Sequence, residues 1–178
     1  SAYPDEAASL ARIVAMTGAI GSGNATSSAE FNCWHDPEAV QVVLESGVPL
    51  TVFPLDSFDE ASVPLAVAGE WADDDDPVLR MASAFLRHCT PPGADRSWLG
   101  DGAVACVAVT ASLATVMTLP VEIDLAPGLS RGRMVTDRRG RRGEDEQHGG
   151  TGLRTSAAVV IAVDRDALAA DYVRILEG

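Results

Sequence analysis

Met16-Thr17-Gly18-Ala19-Ile20-Gly21-Ser22-Gly23-Asn24-Ala25-Thr26-Ser27-Ser28-Ala29-Glu30-Phe31-Asn32 is a glycine-rich segment that follows a short apolar run. The segment Arg12-Ile13-Val14-Ala15-Met16 that leads into it is short and rich in branched apolar side chains, the composition of a buried strand, expected over about Arg12–Ala19. Gly18, Gly21 and Gly23 then permit backbone conformations that a side chain would forbid. Asn24, Glu30 and Asn32 put amide and carboxylate groups on the loop that results. Open α/β folds place their ligands at such a strand-to-loop edge, and these side chains have the donors and acceptors to hold a polar one. Any one of the three could serve as a turn cap, but capping does not call for the whole string from Gly23-Asn24 to Glu30-Phe31-Asn32.

Outward from this loop the chain alternates helical and strand patterns. Asp36-Pro37-Glu38-Ala39 opens a helix expected to run to Glu45 and to stop at Gly47, and Pro49–Pro54 reads as a second buried strand. Asp56–Asp59 reads as a turn and Ser62–Glu70 as a short helix. Val78–His88 is a helix on the strength of Val78, Met81, Ala82, Phe85 and Leu86, which recur at helical spacing as one apolar stripe. The run Asp73–Asp76 resembles a cation site only superficially. Carboxylates ahead of Pro77 are what the dipole of a starting helix favours, and adjacent ones rarely converge on one ion.

Gly102–Val121 is a twenty-residue stretch without charge, long enough to cross a bilayer. Its flanks are Asp101 and Glu122 rather than basic residues, and its interior is mostly Ala, Val, Ser and Thr. A core helix over Asp101–Met117 followed by a strand is therefore expected instead. Val121–Leu125 and Gly132–Thr136 form a hairpin turning at Pro127-Gly128, Ala157–Val163 is a last strand, and a terminal helix starts at Asp164 or Asp166 and ends near Leu176. A helical tail over Pro4–Arg12 and loops over Thr90–Asp95 and Arg138–Gly152 complete the pattern.

At 178 residues and 47% hydrophobic content the chain has material for one core, and its net charge of −13 argues against a nucleic-acid partner, whose phosphates an acidic surface repels. All 13 basic residues are arginine, which reads as codon bias rather than a binding signal. Cys33, Cys89 and Cys106 are odd in number and irregularly spaced, the pattern of buried thiols in a reducing, cytoplasmic setting rather than of a disulfide framework or a zinc site.

The loop, with Asp36-Pro37-Glu38-Ala39 and the Pro49-Leu50-Thr51-Val52 strand behind it, resembles the nucleoside hydrolase family of the inosine/uridine-preferring type. That family's segment reads roughly M-G-G, then G-N-x-T-x-x-A-E-F-N, then D-P-E-A. Downstream, Asp101-Gly102-Ala103-Val104 resembles the family's late aspartate and apolar helix, and Val121–Leu125 with Gly132 and Asp137-Arg138-Arg139-Gly140 its closing hairpin. The family's N-terminal D-x-D-x-x-x-D-D cluster has no counterpart here. The resemblance therefore implies the C-terminal portion of a nucleoside hydrolase-like domain over residues 1–178, with the calcium-binding N-terminal half absent through truncation, proteolysis or a split gene. The implied fold is part of an open, mostly parallel Rossmann-like sheet with flanking helices, plus a hairpin near the C-terminal end.

The resemblance also implies the chemistry: calcium-dependent hydrolysis of the N-glycosidic bond of ribonucleosides to ribose and base, in purine or pyrimidine salvage. Asn24 and Glu30 would hold the 5′-hydroxyl side of the ribose, Asn32 and Asp101 the 2′- and 3′-hydroxyl side, and Met16 would lie against the sugar. Asp101 would also complete the calcium site, and the four polar residues are expected to converge on one pocket. Gly100 stands where many members carry the histidine that protonates the departing base, which leaves His35 and His88 as other candidates, while Trp98 offers a ring for stacking on that base. The implied partners are a nucleoside, the N-terminal half or a companion chain, and further copies in a homo-oligomer, with neither nucleic acid nor membrane. A non-catalytic ribose- or nucleoside-binding or assembly subunit is the alternative.

Overall fold

The computed structural model describes residues 9–139 and 152–178. Residues 4–8 of the expected helical tail and 140–151 of the expected loop lie outside them. The strands are β1 (Ile13–Met16), β2 (Leu50–Phe53), β3 (Ser62–Pro64), β4 (Arg96–Trp98), β5 (Ala114–Ile123), β6 (Met134–Thr136) and β7 (Ser156–Val163). The helices are α1 (Phe31–His35), α2 (Pro37–Glu45), α3 (Leu55–Glu60), α4 (Leu65–Glu70), α5 (Pro77–Cys89), α6 (Asp101–Val109) and α7 (Arg165–Glu177). Among the described residues a five-stranded sheet has the order β1-β2-β7-β5-β6, and β3 pairs with β4 in a second, two-stranded sheet. β1, β2 and β7 run parallel, with Ile13 opposite Leu50 and Val52 opposite Val159, and β5 meets β6 antiparallel with Val121 opposite Thr136. This is the α/β class read from the sequence, parallel sheet and hairpin included.

The chain divides into two compact units, one holding the described residues up to Asp56 together with those of Val116–Ile161, the other Ser57–Thr115 and Ala162–Gly178. In the first unit the core gathers Cys33, Leu50, Val52, Leu119, Val121, Ile123, Met134, Ala157 and Val159, with Val40, Val43 and Leu44 of α2 packed against it. α2 starts where Asp36 caps it, its carboxylate accepting the Ala39 N–H at 2.9 Å ahead of Pro37. One polar residue sits on the buried face of this helix: Gln41 Oε1 accepts the Ile123 N–H of β5 at 3.0 Å, while its Nε2 donates to Glu45. The amide thereby satisfies a backbone group in a core that excludes water.

In the second unit Asp76 caps α5 by accepting the Val78 N–H at 2.7 Å, so the last residue of the acidic run does cap the helix. The hydroxyl of Ser83 donates to Ala68 O at 2.5 Å and that of Ser97 to Leu86 O at 2.7 Å, which lets two serines lie fully inside. Gly102 allows α6 to approach α7 closely, since a Cβ there would stand 3.0 Å from the Tyr172 ring.

Four expectations are corrected. Asp56–Asp59 is helix rather than turn, within α3. Ser62–Pro64 is strand β3, leaving only Leu65–Glu70 helical. The long core helix ends at Val109; after a 3-10 turn at Ala111–Leu113 the chain is already strand from Ala114, because the Thr115-Val116 and Thr118 positions are β-branched and favour extended backbone. On α5 the buried residues are Leu79, Ala82, Ser83 and Leu86, while Val78, Met81 and Phe85 of the apolar stripe are about half exposed or more. Helical spacing identifies a face, and Ser83 could join the covered one once its hydroxyl had an acceptor.

Replacing Gln41 by Leu preserves bulk but leaves the Ile123 N–H without its acceptor. The expected cost is about 1–3 kcal/mol of unfolding free energy, read from denaturant titrations of the parent and Gln41→Leu chains.

Candidate functional site

The loop after β1 is fixed by two carboxylates. Glu30 caps α1 and is 1% exposed: its Oε1 accepts the Asn32 N–H at 2.8 Å, and its Oε2 accepts those of Gly18 at 2.9 Å and Cys33 at 3.2 Å. Asp56, at the start of α3, accepts the N–H groups of Ile20 at 2.7 Å and Gly21 at 3.0 Å. Gly18 carries φ +74°, and its carbonyl accepts the Leu55 N–H at 2.9 Å, so the turn out of β1 is tied to the turn out of β2. Gly23 lies so close to Ala29 that a Cβ would come within 2.2 Å of its carbonyl oxygen, which accounts for a glycine there.

On this frame Asn32 lies exposed over the end of β1, its Nδ2 donating to Met16 O at 3.0 Å and reaching Met16 Sδ at 3.3 Å. That orientation fixes which face the amide shows: among the described residues Oδ1 takes no partner and is open to a ligand donor. Asn24 is also exposed; its Oδ1 accepts the Phe31 N–H at 2.8 Å, which leaves its NH2 group outward. Met16, Asn24, Glu30 and Asn32 thus belong to one hydrogen-bonded assembly in the first unit. Within it Glu30 is a cap with about one acceptor position of its carboxylate left over. Phe31, Trp34 and His35 form an exposed aromatic group on the same helix, with Phe31 and His35 stacked at 5.7 Å.

Asp101 is in the second unit. It is the first residue of α6 and exposed, while the capping position is Gly100 at φ +57°, a conformation that suits glycine. Its carboxylate has no hydrogen bond or ion pair among the described residues and sits where the helix dipole favours negative charge. Trp98 ends β4 with 48% of its surface exposed and lines a pocket of about 630 Å³ with Asp59, Glu60, Arg96 and Arg165. His88 is exposed in the last turn of α5. No helix among the described residues is long and apolar enough to cross a membrane.

Among the described residues no group of three or more His, Cys, Asp and Glu side chains is placed to hold a metal. Calcium takes six to eight oxygen ligands, and the donors among the described residues do not amount to such a site.

Asp56 has a role that no local motif announces. It is a carboxylate just past Pro54 at the end of a strand, and its partners are 35 and 36 residues away.

The family model described as inosine-uridine preferring nucleoside hydrolase matches residues 1–170, so the chain belongs to the nucleoside hydrolase family. A pyrimidine-specific ribonucleoside hydrolase RihA of Salmonella arizonae is 28% identical over 172 residues, which is 93% of this chain and 52% of that protein. Among solved structures, a purine-preferring ribonucleoside hydrolase from Gardnerella vaginalis superimposes with a TM-score of 0.78 at 22% identity, covering 98% of this chain and 54% of the other. An inosine-uridine preferring nucleoside hydrolase from Bacillus anthracis gives 0.73 at 24% identity, with 97% and 53% covered. The chain spans about half the length of the relatives it matches.

Two measurements follow from this geometry. Glu30→Gln places an NH2 group against backbone donors and is expected to cost about 3 kcal/mol in an unfolding titration, with faster amide exchange at Gly18. Burial, helped by the Glu30 charge, pushes the Cys33 thiol from 9.0 up to about 11 despite its contact with Thr17. The unfolded chain therefore gives up this proton first, so stability is full below pH 9 and falls as pH rises from 9 to about 11, by up to about 1.4 kcal/mol per pH unit. Cys33→Ala should flatten that part of the pH profile.

Proposed function

We propose that this chain is the sugar-gripping part of a nucleoside N-ribohydrolase, which splits the N-glycosidic bond of ribonucleosides into ribose and free base. The observation that carries the reading is Asn32, held by Met16 O and Sδ so that its carbonyl faces outward at the end of β1, in a chain whose family match extends over residues 1–170. Cleavage of such a bond develops positive charge on the sugar. Amide oxygens and carboxylates around the ribose oppose that charge and accept its hydroxyl protons.

In this reading Asn24 and Glu30 serve the 5′-hydroxyl, Asn32 and Asp101 the 2′- and 3′-hydroxyls, and Met16 packs on the sugar face. Trp98 stacks on the base. Calcium is held chiefly by carboxylates outside this chain, with Asp101 as one ligand, and would supply charge for ribose hydroxyls and water. Those outside carboxylates belong to an N-terminal half or companion chain whose strand lies along β1, which among the described residues is paired on one side only. A complete particle of this kind would be cytoplasmic, oligomeric and engaged in base salvage. The second reading, a ribose-binding or assembly subunit without catalysis, is favoured by the absence of a metal-holding cluster among the described residues.

Mixing the chain with a polypeptide that supplies the remaining length of its relatives, titrating calcium and measuring ribose release from inosine and uridine decides between them. Hydrolysis is expected only in the mixture and only with calcium, and Asp101→Ala should abolish it while the pieces still co-purify. Ribose release by the chain alone, or undiminished activity with Asp101→Ala, refutes the roles given; nucleoside binding without release supports the second reading.

A further inference from the structure

A strand end followed by glycines and successive backbone N–H groups is the arrangement with which many proteins cradle phosphate. In this chain three donors of that turn are already taken. Gly18 N–H goes to Glu30 at 2.9 Å, and the consecutive N–H groups of Ile20 and Gly21 go to the two oxygens of Asp56 at 2.7 and 3.0 Å. The Asp56 pair is solvent-exposed, so this chelation lies where an incoming ligand can compete for it. The fit is close: a Cβ on Gly21 would stand 2.9 Å from Asp56 Oδ1.

We propose that Asp56 is a specificity-determining residue, which fills the anion seat of the glycine-rich turn with a protein carboxylate so that neutral sugar hydroxyls are admitted and phosphate esters are refused. Two effects act together. A phosphate would have to displace Asp56 from both amides, and its charge of about −1.5 to −2 would then lie beside the displaced Asp56 and near Glu30. A hydroxyl needs neither amide and brings no charge; Asn24 and Asn32 still offer it a donor and an acceptor. Naming the refused ligand as a nucleotide and the admitted one as a nucleoside rests on the proposed function, whereas the occupied amides do not.

The test uses the full chain labelled with 15N, following the Ile20 and Gly21 amide signals against inorganic phosphate, uridine 5′-monophosphate and uridine at millimolar concentration. The parent chain is expected to show no phosphate-dependent shift at these amides. In Asp56→Asn, which keeps one acceptor oxygen but loses the charge, phosphate and the nucleotide should engage them at least about tenfold more tightly. Asp56→Glu, which restores the charge, should refuse them again. Asp56→Ser is the second neutral variant and gives the same reading if the asparagine chain folds poorly. The proposal is overturned if the parent turn binds phosphate, if the neutral variants refuse it as the parent does, or if Asp56→Glu admits it as readily as Asp56→Asn. Should phosphate behave as expected while uridine binds neither these chains nor their calcium-loaded mixture with the remaining length of the relatives, the nucleoside reading fails and the anion seat stands. Uridine binding to a parent chain whose neutral variants still refuse phosphate means the reverse: the nucleoside reading stands and the anion seat fails.

Discussion

The carboxylate of Glu30 accepts backbone N–H groups from Gly18, Asn32 and Cys33, and it does so with 1% of the residue exposed. A buried charge is tolerable only when hydrogen bonds replace its water, and here the donors come from both ends of the loop. Gly18 leaves β1, and Asn32 and Cys33 open α1. The side chain therefore closes the loop on itself and determines where Asn32 stands. Asn32 then reaches Met16 at the strand end. Without Glu30 the glycines would let the same segment sample many conformations.

Asp56 holds the loop from outside, as Glu30 does from within. Its amides at Ile20 and Gly21 and the bond from Leu55 N–H to Gly18 O join the exits of two parallel neighbours, β1 and β2. Parallel strands deliver their carboxyl ends to one edge of the sheet, and ligand sites form on that edge because several turns meet there. The Cys33 thiol beneath α1 belongs to the same assembly. Burial keeps it protonated, which makes it part of the packing rather than a nucleophile.

The chain belongs to the nucleoside hydrolase family, and its loop after β1 presents the Asn24 and Asn32 amides at the end of that strand. Each unit by itself carries different chemistry. The first holds an ordered set of amide groups around Met16, while the second presents Asp101, a carboxylate at a helix start with no partner among the described residues.

Features encoded by near neighbours are legible along the chain. Asp36, Asp76 and Asp164 each cap the helix that follows them, because a cap bonds within two or three residues and is visible as a short polar residue before an apolar period. The family pattern from Met16 to Asn32 was legible for the same reason, since its spacing is local. Long-range packing set the rest: Glu30 reaches back to Gly18, Gln41 reaches Ile123, and Asp56 takes the amides of Ile20 and Gly21. It also set which stripe of α5 is covered. Each of these turns on partners far away in the chain or on which surface a neighbouring element covers. Hydrophobic period and propensity report a residue's own preference and carry no record of the partner that completes it.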